Sequence, residues 1–183
     1  MDERQAGAEK NKQAQNHAMN KKEISAQYLT FIMSNEEYGV DILRVNEIRG
    51  WEKTTPLPNS ASYVKGVINL RGAIIPIVDL REKFGIQNLE YGQTTVVIVL
   101  QVESKTGERV MGIVVDAVSD VCSVSEEEKK AAPEVGGGGA NFISGLVAVN
   151  EKMVILLDID QLLGMDDINA DLSQALAQIK TIH

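Results

Sequence analysis

The residue types that most often perform catalysis are scarce in this chain. Its two histidines are His17, in a polar stretch, and His183, the last residue, so neither is placed for a catalytic triad. The single cysteine, Cys122, lies in an alternating apolar run, which favours a small buried side chain over a reactive thiol. No His, Cys and carboxylate cluster has the spacing of metal ligands. The sequence predicts no enzyme, no metal site and no cofactor.

Two aspartates could be imagined as a catalytic carboxylate pair, but their context favours a structural role. Asp79 is followed three residues later by Glu82, and Asp158 is followed at the same spacing by Gln161. This pattern is typical of a helix N-cap, where the aspartate accepts hydrogen bonds from the first free amides. We therefore interpret Asp79 and Asp158 as helix caps.

Two charged residues remain as candidates for binding. Arg71 occupies the polar turn of a predicted hairpin, and its planar guanidinium is well suited to pairing with carboxylates. Glu47 follows an apolar segment. From composition alone, both are interpreted as solvated surface charges.

The elements that must position these residues occur twice. Residues 66–85 match residues 145–164 without a gap, with Gly66 on Gly145 and Asp79 on Asp158. Each copy has two apolar runs around a polar turn and then the capping pattern, which predicts a hairpin followed by one turn of helix. Residues 38–48 match residues 111–121 in the same way. The chain is therefore interpreted as two similar small β subdomains, about 24–88 and 92–164.

Local patterns predict further elements. A hairpin is expected around Ser34–Glu36, and residues 94–102 are expected to form a strand covered on both faces near the junction of the subdomains. Residues 42–48 fit a helix or a strand. Residues 61–64 predict a turn of helix, and Ser125–Glu128 predicts a short acidic helix opened by a capping box.

The ends and one internal loop differ in composition from the rest. Residues 1–23 contain almost no large apolar side chains and are predicted to be disordered. The glycine-rich loop 133–140 lacks the lysine and following helix of a phosphate-binding loop and is interpreted as an insertion. Residues 165–183 predict an amphipathic helix, with packing on the barrels as the default and partner binding as the alternative.

Overall composition excludes some partners. The net charge of −8, without a Lys and Arg cluster, argues against nucleic-acid binding. No apolar run has the length of a membrane span and no signal peptide is recognised, so a cytoplasmic protein without membrane insertion is expected.

Four motifs in a fixed order carry a family resemblance. They are Glu37 to Gly50, Asn69-Leu-Arg-Gly72, Pro76-Ile-Val-Asp-Leu-Arg81 and Gly112 to Val121. Together they resemble the CheW family of bacterial chemotaxis coupling proteins, from about Gln27 to Gly164. The resemblance implies a mainly β fold of two five-stranded SH3-like barrels that share a hydrophobic junction and carry short helices.

The resemblance also implies a function. The family consists of non-enzymatic adaptors that couple the cytoplasmic tips of methyl-accepting chemotaxis receptors to the regulatory domain of the histidine kinase CheA and support signalling arrays. For this chain it implies recruitment to membrane-associated receptor arrays, with a monomer expected in isolation.

Site residues are carried over by motif position. The implied receptor-facing groove contains apolar and charged residues, namely Ile42, Val45, Glu47, Arg71, Val96 and Val121. The implied kinase-facing surface lies near Lys65 and Gly66. Two alternatives stay open: the same module in another receptor–kinase pathway, such as surface motility or biofilm formation, and a small ligand-binding or enzymatic barrel.

Deleting residues 1–20 should change thermal stability little, because that stretch offers no core residues. We expect the melting temperature, followed by circular dichroism, to shift by less than about 2 °C. A large decrease would show that the tail packs on the folded part.

Overall fold

The protein is described here from a computed structural model that covers residues 25–87, 90–133, 141–164 and 177. Its strands are β1 Ser25–Met33, β2 Glu36–Asp41, β3 Val45–Gly50, β4 Val64–Leu70, β5 Ala73–Asp79, β6 Val96–Ser104, β7 Gly107–Val115, β8 Ala117–Ser125, β9 Ile143–Val149 and β10 Lys152–Leu157. The helices bounded within these ranges are a 3₁₀ turn, Ile42–Arg44, and two short α-helices, α1 Leu80–Lys83 and α2 Ile159–Leu163. The protein is mainly β, as predicted.

Three of the hairpins turn through residues with positive φ. Ser34 and Asn35 join β1 to β2, Arg71 and Gly72 join β4 to β5, and Asn150 and Glu151 join β9 to β10. Two consecutive positive φ values characterise the tight turns whose twist matches that of antiparallel strands. The three hairpins predicted from the sequence are therefore confirmed.

The ten strands form two five-stranded sheets, ordered β8-β1-β2-β10-β9 and β3-β6-β7-β5-β4. The strands β1 to β5 of the first half correspond in sequence order to β6 to β10 of the second half. When each strand is replaced by its counterpart, the strand order of one sheet becomes that of the other. Each half places its first two strands in one sheet and its last three in the other. Within each sheet the halves are joined by one parallel pair, β2–β10 or β5–β7, and by one antiparallel pair, β1–β8 or β3–β6.

The division into consecutive subdomains at 24–88 and 92–164 is therefore wrong as a description of the sheets. The sheet that contains β1 and β2 is completed by residues 117–157, whereas residues 45–115 build the other. The duplication itself is confirmed by the matched strand orders. The local sequence pattern could not reveal that the chain passes from β2 through the 3₁₀ turn into β3 of the opposite sheet.

Each sheet is closed into a barrel by a pair of backbone hydrogen bonds between an edge strand and a residue outside the strands. Thr55 and Val67 exchange two N–H···O bonds of 2.9 Å, and Lys130 and Leu146 exchange two of 2.8 Å. The first barrel, from β3 to β7, and the second barrel, from β1, β2 and β8 to β10, are thus closed at matched positions. This confirms the expected pair of five-stranded barrels.

Gly66 makes the first closure possible. Its φ is +127°, and a Cβ there would overlap the carbonyl oxygen of Thr55. At its counterpart Gly145 a Cβ would meet the Lys129 side chain first and would come 3.1 Å from the carbonyl oxygen of Lys130. Close backbone approach therefore requires glycine at position 66, whereas at position 145 the space is limited mainly by the Lys129 side chain.

The apolar core lies in three layers. Each barrel has its own small cluster, and a larger junction cluster fills the space between the sheets. On β6, Val97 and Val99 face the first barrel's interior, while Ile98 and Leu100 face the junction. This confirms the predicted strand covered on both faces.

The remaining local predictions had mixed outcomes. Asp79 accepts a hydrogen bond from Arg81 N, and Asp158 accepts from Asp160 N and Gln161 N, so both caps are confirmed. Ser125 and Glu128 form the capping contacts but no helix follows, and residues 61–64 form a turn and the start of β4. The predicted N-terminal tail, the loop segment 134–140 and the C-terminal segment lie outside the described residues, apart from helical Ala177.

Replacing Gly66 by alanine should destabilise the fold strongly, because the methyl group would disrupt the barrel closure in addition to straining the backbone. We expect the free energy of unfolding to fall by about 3 kcal/mol or more. Gly72→Ala is the matched control, since Gly72 also has positive φ but open space around it. It should cost about 1 kcal/mol. Equal losses in urea denaturation would contradict the closure argument.

Candidate functional site

The predicted site residues Glu47 and Arg71 are brought into direct contact by the first barrel. Arg71 Nη1 lies 2.9 Å from Glu47 Oε2, joining β3 to the β4–β5 turn. The Arg71 side chain is 79 % exposed and that of Glu47 23 %. The carboxylate is therefore held by the barrel, while most of the guanidinium stays free to contact another molecule.

Local structure explains how these two side chains meet. The tight hairpin turn places Arg71 at a φ of +50°, and the Asn69 side chain accepts a hydrogen bond from Gly72 N at 2.9 Å. On β3, the pairing with β6 shifts between Val45 and Glu47, so Asn46 is an extra residue. Such a bulge redirects the side chains that follow it.

The second barrel has the same hairpin turn and strand irregularity but different side chains at the matched positions. Asp120 and Asn150 occupy the positions that match Glu47 and Arg71, and β8 is irregular at the same place in its pairing with β1. Asp120 accepts a hydrogen bond from its neighbour Val121 N instead. An exposed arginine paired with a carboxylate across the barrel is thus a feature of the first copy.

The apolar site residues divide into two groups. Ile42, Val45 and Val96 are half-buried and pack against the junction cluster. Val121 lies on β8 in the second barrel, 45 % exposed, and pairs with Leu29. The structure therefore anchors three of these residues in one cluster and presents Val121 separately.

The two residues predicted to face the kinase differ in what they offer. Lys65 is partly exposed, forms an ion pair with Glu82 on α1 and donates a hydrogen bond to Ser62 O at 3.0 Å. Gly66 is buried in the barrel closure. Lys65 can make a side-chain contact, whereas a substitution at Gly66 would act through the shape of the barrel.

A buried ionic network lies where β5 passes into α1. Arg81 is fully buried and binds Asp79 through two hydrogen bonds, Nε at 3.0 Å and Nη2 at 2.8 Å. It also donates to Asp116 Oδ1 and to the carbonyl oxygen of Glu90, both at 2.9 Å. The Tyr91 hydroxyl donates to Asp79 at 2.6 Å. The network fixes the segment that links the two halves of the chain.

These contacts shift the pKa values of Asp79 and Tyr91. Burial alone would raise the pKa of Asp79, but the hydrogen bonds from Arg81 and Tyr91 and the guanidinium charge hold it below its ordinary value. Burial and the hydrogen bond to Asp79 both raise the pKa of the Tyr91 hydroxyl. Asp79 is therefore a structural carboxylate held ionised by its partners.

Tyr91 also connects the network to the end of β3. The tilted rings of Tyr91 and Trp51 lie 4.4 Å apart between centroids, and Trp51 N donates to Thr95 O at 2.9 Å. Val96 begins β6 immediately afterwards and pairs with Gly50. Sequence reasoning missed this network. The Asp-Leu-Arg spacing was the available signal, but nothing local indicated that Arg81 would be buried.

The described part of the chain offers little for catalysis. It contains no group of three or more His, Cys, Asp or Glu placed to hold a metal ion. Cys122 is half-buried beside the second barrel's core cluster, and burial raises the pKa of its thiol. None of the helices in the described ranges is long and apolar enough to cross a membrane.

These features define a class of protein, a two-barrel β protein with an exposed arginine–carboxylate pair on its first barrel. Comparison with known proteins places it more closely. The CheW-like domain family matches residues 27–167, so the chain belongs to the CheW-like family.

Individual relatives agree with this family. The chain is 48 % identical over 145 residues to the chemotaxis protein CheW of Klebsiella aerogenes, covering 79 % of this chain and 85 % of that protein. It is 27 % identical over 139 residues to Protein FrzA of Myxococcus xanthus, covering 75 % and 84 %. The crystal structure of scaffolding protein TtCheW from Thermoanaerobacter tengcongensis matches with a TM-score of 0.70 at 28 % identity, covering 79 % and 96 %.

Replacing Arg81 by methionine should leave Asp79 buried without its counter-charge. We expect the free energy of unfolding at pH 7 to fall by about 3–5 kcal/mol. Tyr91→Phe, which removes one hydrogen bond to the same carboxylate, should cost about 1 kcal/mol.

The stability difference between the wild-type protein and Arg81→Met should also depend on pH. In the wild-type protein the pKa of Asp79 is lowered, so the stability it contributes is present above the ordinary value of 3.8 and is lost as the pH falls below it. In the Arg81→Met protein the guanidinium no longer opposes the effect of burial, so the lowering of the Asp79 pKa weakens or reverses. The stability difference between the two proteins should therefore narrow below about pH 4 in urea denaturation. A difference independent of pH would contradict this assignment.

Proposed function

We propose that this coupling adaptor of the CheW-like family joins the cytoplasmic tip of a chemoreceptor to the regulatory domain of a CheA-type histidine kinase. The observation that carries the receptor part is the Glu47–Arg71 pair, in which a barrel-anchored carboxylate orients an exposed guanidinium. Chemotaxis proteins among the relatives support the pathway. The chain itself acts by binding, not by catalysis.

The receptor tip is a helical hairpin, and an amphipathic helix is recognised by an apolar surface with flanking charges. Ile42, Val45 and Val96 supply apolar surface that is already ordered by the junction cluster, so little conformational entropy is lost on binding. Arg71 and Glu47 supply charge that sets the register of the helix. Val121 extends the contact from the second barrel.

The kinase contact is proposed on the first barrel near Lys65. Its pairing with Glu82 on α1 keeps the side chain partly exposed beside the closure at Gly66. A partner carboxylate could compete for Lys65 at this position. With receptor and kinase bound to different surfaces, the adaptor would be recruited to membrane-associated receptor arrays.

A second candidate is the same module in a different receptor–kinase pathway. The match to Protein FrzA shows that this fold also occurs in relatives with another designation. Recovering the protein from its native cells at moderate salt and identifying the bound receptor and kinase separates the two. Recovery of neither, with both present in the lysate, would reject the coupling function for this chain.

Arg71→Asp should weaken receptor binding about tenfold, because it removes the free guanidinium and places a second carboxylate beside Glu47. The fold should be retained, since the side chain is mostly exposed. Titration calorimetry with a soluble receptor-tip fragment measures the affinity.

Asn150→Asp is the matched control for that substitution, since Asn150 holds the corresponding turn position in the second copy. It should leave receptor affinity unchanged. An unchanged affinity in a folded Arg71→Asp protein would remove Arg71 from the contact.

A further inference from the structure

A polar cleft of about 220 Å³ opens beside the 3₁₀ turn, apart from the residues assigned above to receptor and kinase. Its polar lining includes Tyr28, Asp41, Arg44, Lys129, Asp158 and Asp160. Pockets for drug-sized ligands usually have volumes of about 300–1,000 Å³. The cleft therefore fits a group the size of one side chain.

Two of the charges in the cleft neutralise each other. The guanidinium of Arg44 lies 2.6 Å and 3.4 Å from the two carboxylate oxygens of Asp160. Asp160 also accepts a hydrogen bond from Glu103 N at 2.7 Å. This pair closes one side of the cleft and has little capacity left for a ligand.

The other two aspartates retain capacity. Asp41 Oδ1 accepts from Leu43 N at 2.9 Å, and Asp158 Oδ1 accepts from Asp160 N at 3.0 Å and Gln161 N at 3.1 Å. The second oxygen of each carboxylate makes no hydrogen bond within the described ranges of the chain. Lys129 is the remaining cation, and its stem lies over Gly145, where a Cβ would come 2.7 Å from Lys129 Cγ. The uncompensated charge is negative.

Tyr28 provides an independent indication of a ligand. It is only 8 % exposed, and its hydroxyl, which borders the cleft, has no hydrogen-bond partner among the residues that the structure describes. Burial raises the pKa of this hydroxyl, and the carboxylates of Asp41 and Glu126 raise it further. No fully buried side-chain polar atom of the described residues lacks a partner, so this hydroxyl is open to the cleft, where it lies in a negative potential and can accept a hydrogen bond from a cation.

We propose that this cleft binds the guanidinium group of an arginine side chain that a partner protein presents beside the receptor-facing groove. The two free carboxylate oxygens and the Tyr28 hydroxyl can accept from its several N–H donors. Guanidinium is more weakly hydrated than ammonium, so it loses less on entering a half-enclosed cleft. Lys129 limits the site to a single positive group. The inference rests on the proposed coupling function.

The first test uses the isolated full-length protein and methylguanidinium chloride as the probe. Titration to tens of millimolar, with sodium chloride at equal concentration as the control, should shift amide NMR signals near Tyr28, Asp41 and Asp158 only. Asp41→Asn combined with Asp158→Asn should abolish these shifts. Both substitutions keep the oxygen that accepts the backbone bonds, because asparagine is also a good N-cap. Shifts spread over the surface, or identical to those in sodium chloride, would overturn the proposal.

The second test measures binding of the receptor-tip fragment and of the kinase regulatory domain. The double variant should lose about tenfold in affinity for one of the two, and Lys129→Gln should gain affinity for the same partner. Glu151→Gln, a charge removal at the distant β9–β10 turn, should change neither.

The outcomes separate this inference from the coupling function. Local methylguanidinium shifts with unchanged affinity for both partners would mean that the cleft takes a free cation, and partner docking would be rejected. In that case weaker receptor binding by the Arg71→Asp protein would still support the coupling function. A wild-type protein that binds neither partner would reject the coupling function itself.

Discussion

The junction cluster between the two sheets is the constraint on which the rest of the structure depends. It is filled mainly from β1 and β2 of one sheet and from β6 and β7 of the other, with further residues from both short α-helices, so neither barrel can be removed without exposing it. The half-buried site residues Ile42, Val45 and Val96 rest on the same cluster. Burial of apolar surface is worth about 25 cal/mol per Å². The force that holds the barrels together therefore also fixes the proposed binding surface.

In both halves an ion pair also holds the short helix in position. The charges are reversed between the halves, since the helix supplies the arginine in the first half and the aspartate in the second. Arg81 at the start of α1 binds Asp116, at the crossover from β7 to β8. In the second half Asp160, at the start of α2, binds Arg44, at the crossover from β2 to β3. Both pairs tie a helix to the point where the chain passes between barrels. The Arg81 pair is the stronger constraint because its side chain is buried, whereas the Arg44 pair is partly screened by water.

Sequence reasoning reached the hairpins, the helix caps, the duplication and the doubly covered strand β6, because each leaves a local mark in spacing or apolar periodicity. It did not reach the exchange of strands, since pairing between β2 and β10 joins segments more than one hundred residues apart. It named Glu47 and Arg71 through family motifs but could not place them in contact. Burial of Arg81 was hidden for the same reason, because an Asp-Leu-Arg segment reads equally well as a solvated helix start.

The exchange of strands also bears on how such a chain could arise. Cutting the link between the halves, near Tyr91, would leave two fragments, each holding two strands of one barrel and three of the other. Neither fragment could close a barrel alone, but two copies of one fragment could complete each other about a twofold axis. The present chain has the architecture of such a domain-swapped dimer fused head to tail. Fusion allows the two halves to diverge, so that one half carries an exposed Arg71 where the other carries Asn150. A symmetric dimer would present the same surface twice, whereas this chain presents two different surfaces.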